Sequence, residues 1–586
     1  MQNELLLACW FDSRTNQYRS CWGDENSQDE LLDAVRSVDF IVAQNAKFEL
    51  AWLDRCGVDL HDILVFDTFL AEWILLGNLK DPKDLSSLAK RRGIRGKVDS
   101  VSWLIKNGVD PQNIPKPWLE EYCLEDVRTT LEVYLVQREE LASRDQLHLQ
   151  LARCMLTPVL VDMESNGIHL DHKKVMEEYR AVSNELADVE LELAEYGDLN
   201  WRSRQQVAEL LYDELQFAEV RDRDGPVRTA SGQRGTSIDI ISKLRGDTPK
   251  QRRFLELFKK QANLQAKRSK TLEFFRGICE EYDCKFNGSY NQGITATHRL
   301  SSSGRKYSFT TLPKPLGVQL QNMPREYKGL VTASNPGWLI VEADQAQLEF
   351  RGAAALTSDP VAVQEIIDEV DVHSVTREFF RSQGEFKGLD DKEARQQAKP
   401  QTFKPTYGGT GNTKAEKAYC KFFRDKYNVM YKVQYNWVMQ VVATGKLRTP
   451  YGMEFFWPNE KVNAYGKATN QNAIFNYPIQ GVSTGEIVPI SLICLWHRLR
   501  GRKVRFILTI HDSVILEVHP DEDMEWIKEQ IGLAFTRDVF NVLKKLYKFE
   551  LKVPLACEIK IGTHWGKGEE TKITYNPLDM QDADVG

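Results

Sequence analysis

Residues 504–518, VRFILTIHDSVILEV, set a histidine and an aspartate between two apolar runs rich in β-branched residues. Such runs read as strands, and the polar pair between them reads as the tip of a hairpin. A carboxylate at the tip of a buried hairpin is rigidly held yet reachable, which suits a metal ligand. GWLIVEADQAQLEFRGAAAL (337–356) repeats the device, with an apolar run ending at Asp344 and a helical pattern following it. If the two strands are neighbours, Asp344 and Asp512 bracket a pair of divalent ions. Two such ions stabilise both the attacking and the leaving oxygen of an in-line phosphoryl displacement. Mg²⁺ suits the site because it needs only a couple of carboxylates plus substrate phosphates. Taken singly, either acid reads more readily as a turn residue or a helix cap.

A third segment supplies context. In DKEARQQAKPQTFKPTYGGTGNT (391–413), Arg395, Lys399 and Phe403 recur every four residues. On a helix they form one slowly drifting stripe, which Tyr407 continues. Two cations on one face can hold a polyphosphate, and an aromatic next along can stack on a base. Gly408-Gly409 then permits a tight turn. By spacing alone, a basic-aromatic stripe is more commonly solvated surface.

Together these segments resemble the family A, polymerase I-like DNA polymerases. DQAQLEFR (344–351) is similar to the family's first palm motif, RQQAKPQTFKPTYGG (395–409) to its fingers helix, and Ile510-His511-Asp512-Ser513 to its second palm motif. SYNQGITATHRLSS (289–302), LQNMP (320–324), DVHS (371–374) and NYPIQG (476–481) follow in the family order, so the likeness covers about residues 150–570.

The resemblance implies a fold of α/β plus α+β class, an RNase H-like exonuclease-type domain followed by a right-hand polymerase. Its parts are expected at 1–145 for the exonuclease-like domain and 146–330 for the thumb and the start of the palm. The palm is expected at 331–360 and 471–586, with the fingers at 361–470. The implied activity is template-directed addition of deoxynucleotides to a primer 3′ end, with two Mg²⁺ ions held by Asp344 and Asp512. Arg395, Lys399 and His373 match positions that grip the triphosphate, and Lys399 is placed to protonate the leaving pyrophosphate, which Arg does poorly. Phe403 is expected beside the incoming base and sugar, where it discriminates against dideoxynucleotides, and Tyr407 lines the insertion site. Glu349 matches the steric gate against a ribose 2′-hydroxyl, with Gln347 in the same motif near the triphosphate. Arg299, Asn476, Gln480 and His511 match residues that touch the primer-template. The implied partners are primer-template DNA and deoxynucleoside triphosphates, bound by a monomer with no membrane attachment. Two rivals are a single-subunit RNA polymerase and a catalytically inactive duplex-DNA-binding protein. Glu349 and the exonuclease-like region argue against the first, and the intact Asp344, Asp512, Arg395 and Lys399 against the second.

Several positions depart from the family pattern. Asn472 stands where Arg is common, Ser513 replaces a frequent Glu, and Lys404 replaces a Gly. Pro400 and Pro405 lie in a segment the family makes helical, where each removes a backbone hydrogen bond. Lys404 and Gly408-Gly409 lean towards bacteriophage members. In the N-terminal stretch, NAKFELAWL (45–53) and YCLED (122–126) resemble the second and third exonuclease motifs, giving Glu49, Tyr122 and Asp126. The first motif has no counterpart, and NELLLACWF (3–11) matches the strand after it. The expectation is an exonuclease-like remnant without proofreading.

Composition bounds the rest. The 586 residues correspond to about four folding units. With 42% apolar and 27% charged residues, wholesale disorder is excluded. No apolar run approaches the about 18 residues of a membrane span, and the N-terminus lacks the basic start of a signal peptide. The ten cysteines form no CxxC pair, which argues for a reducing compartment, here the cytoplasm. Taken over the whole chain, the net charge of −7 disfavours nucleic acid. Residues 201–328, however, hold 24 Lys and Arg against 14 Asp and Glu, a local +10 that leaves −17 elsewhere. A basic block interleaved with Phe274, Phe275, Tyr282, Phe286 and Tyr290 reads as a duplex-binding surface.

Overall fold

The computed structural model describes residues 5–576, apart from 24, 96–99, 198, 202, 223–224, 229–231 and 465 and the side chains of 25–28 and 222. Part of the polar segment 221–235 and nearly all of the C-terminal tail from 576 lie outside the described residues. The chain forms two compact units. One comprises 1–166, 289–302 and 337–586, and the other comprises 167–288 and 303–336.

The first unit is built on an antiparallel sheet of five strands. In spatial order they are Val504–Ile510, Ser513–Val518, Leu339–Gln345, Leu555–Gly562 and Glu569–Tyr575. The expected hairpin is present, with Ile510 paired to Ser513 and only His511 and Asp512 in the turn. Every residue of Ser513–Val518 is buried, which explains the apolar run Val514–Leu516 at its centre. Behind the sheet runs a continuous 28-residue helix, Gln471–Arg498, whose most apolar stretch is 89% buried. Its length and hydropathy are those of a membrane span, and its burial is that of a core helix. Gly481–Ile487 within it are wound as a π-helix, a form that recurs at functional sites. The helices Leu147–Asn166 and Met524–Phe535 pack on the same element.

The resemblance implies an RNase H-like sheet in the N-terminal part of this unit. The described residues instead form two separate pairs: an antiparallel hairpin, Leu7–Asp12 with Gln17–Trp22, and a parallel pair, Ile41–Ala43 with Val65–Asp67. The parallel pair brackets the helix Lys47–Arg55, as a parallel connection requires. Asp67 holds this corner, accepting hydrogen bonds from the Asn45 and Ala46 N–H groups and capping the next helix through Phe69 N–H.

The second unit is mainly helical. His172–Leu193 packs against Pro249–Lys267, which begins with a reciprocal Thr248/Gln251 capping box. A small sheet orders Val331–Thr332, Ile168–Leu170 and Lys285–Phe286. Four of the five aromatics expected on a duplex-binding surface are core residues instead. Phe274, Phe275 and Phe286 of this unit are at most 1% exposed, and Tyr290 of the other is 2% exposed, so all four are core. Burying each ring is worth about 1.5–3 kcal/mol to the fold. Much of the basic charge is also partnered within the unit: Arg253 pairs with Glu192, Lys260 with Glu185, Lys267 with Glu326 and Arg276 with Glu273.

Candidate active site

Asp344 is the penultimate residue of its strand, opposite Ser513 on one neighbour and Glu558 on the other. Directly opposed residues project to the same face of a sheet. Asp512 lies at the hairpin tip next to His511, whose backbone is left-handed at φ 58°. The Gln345 N–H donates to the Asp512 carbonyl at 3.1 Å, tying the tip to the end of the neighbouring strand. Burial pushes the Asp512 carboxyl up to about 6, against hydrogen bonding with the Asp344 carboxyl, while the charge of Glu349 adds to the rise. The two expected acids are therefore in contact. Two carboxylates so placed do not both ionise comfortably without positive charge between them. As hard oxygen donors they fit Mg²⁺, and no third His, Cys, Asp or Glu joins them as a ligand among the described residues.

The chain turns directly from Asp344 into the helix Leu348–Thr357. Gln347 makes the turn in the left-handed region at φ 52°, a conformation costing about 1 kcal/mol or more and typical of functional corners. Glu349 sits in the first turn, and the Tyr407 hydroxyl donates a hydrogen bond to its carboxylate. One residue on, the Phe350 ring stacks on Phe403 with centroids 5.3 Å apart. The expected gate and insertion-site residues thus share one wall.

The basic helix spans Asp391–Thr402, with Asp390 as its cap. It was expected to carry Arg395, Lys399, Phe403 and Tyr407 in one stripe. It ends sooner: Phe403 is the closing residue, and Lys404–Tyr407 form a tighter 3₁₀ turn. Pro400 and Pro405 lack the N–H groups that would continue the α-helical ladder. Gly408 completes the turn at φ 77°, where an added Cβ would stand 2.6 Å from Asn472 Oδ1. Asn472 therefore packs on the glycine.

Arg395 donates two hydrogen bonds to Asp371, at 2.7 and 3.0 Å. Asp371 also caps the helix Val372–Ser382 through the His373 and Ser374 N–H groups. Burial opposes ionisation of Asp371, but the bonds from Arg395 and Ser374 outweigh it and hold the carboxyl well below its usual range. His373 bonds Thr402 Oγ1 at 3.0 Å. Burial, with the charges of Arg395 and Lys399, pushes its imidazole down to about 4, so it is neutral at physiological pH. Arg395, Lys399 and His373 thus converge. Glu558, opposite Asp344, is near enough for its charge to act on Arg395.

Among the expected DNA-contacting residues, Arg299 hydrogen-bonds His511, and its charge also reaches Asp512 and Tyr407. Asn476 and Gln480 lie one helical turn apart on the core helix. Asn476 Oδ1 is buried without a hydrogen-bond partner among the described residues, an acceptor ready for a bound molecule.

Glu49 and Asp126 both act electrostatically on Cys123 and so share one locality. Burial pushes Glu49 up to about 7, and its Oε2 has no hydrogen-bond partner among the described residues. Tyr122 packs on a hydrophobic cluster of Val101, Ile114 and Leu119.

Sequence reasoning missed Asp371 as the partner of Arg395, though Asp-x-x-Ser before an apolar run is a helix-start pattern. It also missed Glu558, whose place beside Asp344 follows only from strand pairing.

Comparison with known proteins agrees with this geometry. The profile of DNA polymerase family A matches residues 171–567. The chain belongs to that family. It is 25% identical to DNA polymerase I of Synechocystis sp. over 565 residues, covering 89% of this chain and 53% of the relative. It is equally 25% identical to the thermostable DNA polymerase I of Thermus aquaticus, covering 83% of this chain and 58% of the relative. The chain thus spans a little over half the length of these family A relatives. Among solved structures it resembles the POL domain of Pol1 from M. smegmatis, solved in complex with DNA primer-template and dNTP. The TM-score is 0.73 at 20% identity, over 94% of this chain and 91% of that one. The fold is that of a right-hand polymerase, the mixed architecture expected from the sequence.

Proposed function

We propose that this chain extends a DNA primer on a template, adding deoxynucleotides by phosphoryl transfer, and that Asp344 and Asp512 hold two Mg²⁺ ions for the purpose. The observation that carries the reading is the contact between these two acids at the ends of neighbouring strands. Bound there, the ions would stabilise charge on the attacking and leaving oxygens. The primer 3′-hydroxyl gives its proton to water and its oxygen bonds to the α-phosphorus, as the bond from that phosphorus to pyrophosphate breaks. Arg395, Lys399 and His373 orient the triphosphate, and Lys399 gives its proton to the departing pyrophosphate. Arg395 exchanges Asp371 for a phosphate as the nucleotide enters. Glu349, steadied by Tyr407, occupies the space of a 2′-hydroxyl, and Phe403 lies against base and sugar. Arg299, His511, Asn476 and Gln480 contact the primer-template. Residues 146–330 belong to the thumb and the start of the palm, and 1–145, 331–360, 361–470 and 471–586 to the exonuclease-like, palm, fingers and palm parts. Ten free thiols fit work in the cytoplasm.

The N-terminal region does not proofread on this reading. Glu49 stands where the second exonuclease motif it resembles usually has Asp.

A primed-template assay with Mg²⁺ tests both statements. Deoxynucleotide extension that disappears in Asp344→Ala supports the polymerase. Preferred use of ribonucleotides, or unprimed initiation, would assign an RNA polymerase, and no extension at all would leave a binding protein. Shortening of a labelled single strand from its 3′ end, lost in Asp126→Ala, would refute the silent exonuclease region.

A further inference from the structure

A cleft of about 650 Å³ opens in the first unit, apart from the paired acids. Three cations line it: Arg144 at the end of the helix Lys116–Ser143, and Lys446 and Arg448 on one strand of a short hairpin. All three converge on the Glu454 carboxylate of the partner strand, Lys446 at 3.3 Å, Arg448 at 3.6 Å and Arg144 at 3.9 Å. Glu454 is only 5% exposed, so it is a fixed anchor in the floor rather than a surface acid.

The cations are held from behind. Arg448 donates to the Arg144 carbonyl at 2.7 Å, and Arg144 to the Leu75 carbonyl at 3.1 Å. A guanidinium has five N–H donors and an ammonium three. These bonds use a minority of them, among the described residues. One carboxylate neutralises one of three charges. Asp145, the other acid at the cleft, lies 3.9 Å from Arg448 with its side chain 93% exposed, so it is strongly screened. The cleft therefore presents net positive charge and unspent donors in a fixed arrangement, which suits phosphate. Phe456 and Leu79 add apolar surface beside the cations, and Leu79 is 37% exposed.

Cations beside an aromatic ring are the two components of a single-strand site, one for the backbone and one for a base face, and the ring here is that of the half-buried Phe456. The volume suits one or two nucleotides and is far too small for a duplex.

We propose that this cleft binds the backbone of an unpaired stretch of the nucleic-acid substrate. The inference rests on the reading of the chain as a polymerase of primed templates, because such a substrate carries an unpaired strand. It needs no chemistry at the acids, so the two are tested separately.

The experiment is fluorescence anisotropy without nucleotide, comparing wild type with Lys446→Ala/Arg448→Ala. Three ligands are used: a primed duplex with a long single-stranded template overhang, the same duplex blunt-ended, and inorganic triphosphate as competitor. The expected result is about tenfold weaker binding of the overhang substrate by the variant, with unchanged binding of the blunt duplex. The slope of log affinity against log salt for the overhang should become shallower by about 0.7 for each phosphate no longer neutralised. Lys446→Arg/Arg448→Lys should restore the affinity, which a merely structural role would not demand. Lys446→Ala alone, at a half-exposed side chain, gives the same direction if the double variant does not fold. Equal loss on blunt and overhang substrates overturns the proposal, as does no loss on either. Weakened triphosphate competition with unchanged overhang binding assigns the cleft to free nucleotide and also overturns it. Wild-type extension of a primer with a one-nucleotide template overhang reports on the polymerase reading independently.

Discussion

Tyr407 and Glu349, 58 residues apart in sequence, are joined by a single hydrogen bond from phenol to carboxylate. The bond links the turn after the basic helix to the first turn of the helix that follows Asp344, and it fixes where the carboxylate stands. If that carboxylate excludes a 2′-hydroxyl, removing it and loosening it should differ in size. Glu349→Ala is expected to raise ribonucleotide use relative to deoxynucleotide by about 10²-fold, the scale of discrimination that a shaped specificity pocket supplies. Tyr407→Phe keeps the carboxylate and loses one charge-assisted bond, so about tenfold is expected. The ratio of kcat/KM for the two nucleotides is the measurement. An unchanged ratio in Glu349→Ala would remove the gate from the mechanism.

Asp344→Asn and Asp512→Asn each delete one charge from the pair that, on the proposed reading, holds the ions facing the substrate phosphates. Extension should fall by about 10³-fold or more, the cost of losing one preorganised electrostatic group in an enclosed site. Primer-template affinity, assigned by the same proposal to the cations, should hold or rise slightly. A variant that loses binding and extension in proportion would show that the acids act through the fold.

How far the sequence reached depends on the range of the interactions involved. The hairpin around Asp512 and the strand-to-helix turn after Asp344 are local, carried by apolar runs and the residues that interrupt them, and both were legible. The break at Phe403 was half legible, because Pro400 and Pro405 announce missing hydrogen bonds but not where the helix stops. Pairing of Glu558 opposite Asp344 arises from strand order across more than 200 residues and has no local trace. The buried Phe274, Phe275 and Phe286 misled for a related reason. An aromatic beside a lysine looks alike in one dimension whether its ring points inward or outward.

His373 gives a pH signature. Its imidazole is held near 4 by burial and by the Arg395 and Lys399 charges, against about 6.5 in an unfolded chain. A group whose pKa is lowered on folding leaves stability untouched above the unfolded value. It costs stability as pH falls below that value, because the unfolded chain then binds the proton more readily. The wild type should therefore match His373→Gln at pH 8 and fall behind it at pH 5, by about 1–2 kcal/mol. Denaturant midpoints at the two pH values are the readout. A constant difference across the range would mean that His373 titrates normally.

The pair Arg153–Glu486 offers a test of how the core helix is held. Arg153 donates to both Glu486 oxygens, at 2.9 and 2.5 Å, with both side chains 1% exposed, and the Tyr547 hydroxyl adds a bond at 2.6 Å. Glu486 sits in the π-helical stretch that begins immediately after Gln480. Arg153→Met leaves a buried carboxylate with only the tyrosine, a loss of about 3–5 kcal/mol. Because that loss is mainly the desolvation of an orphaned charge, removing the second charge as well should restore much of it. Arg153→Met/Glu486→Gln is accordingly expected to be more stable than Arg153→Met alone, measured by the denaturant midpoint. A double variant as unstable as the sum of the singles would mean that the two groups act independently, each through its own packing.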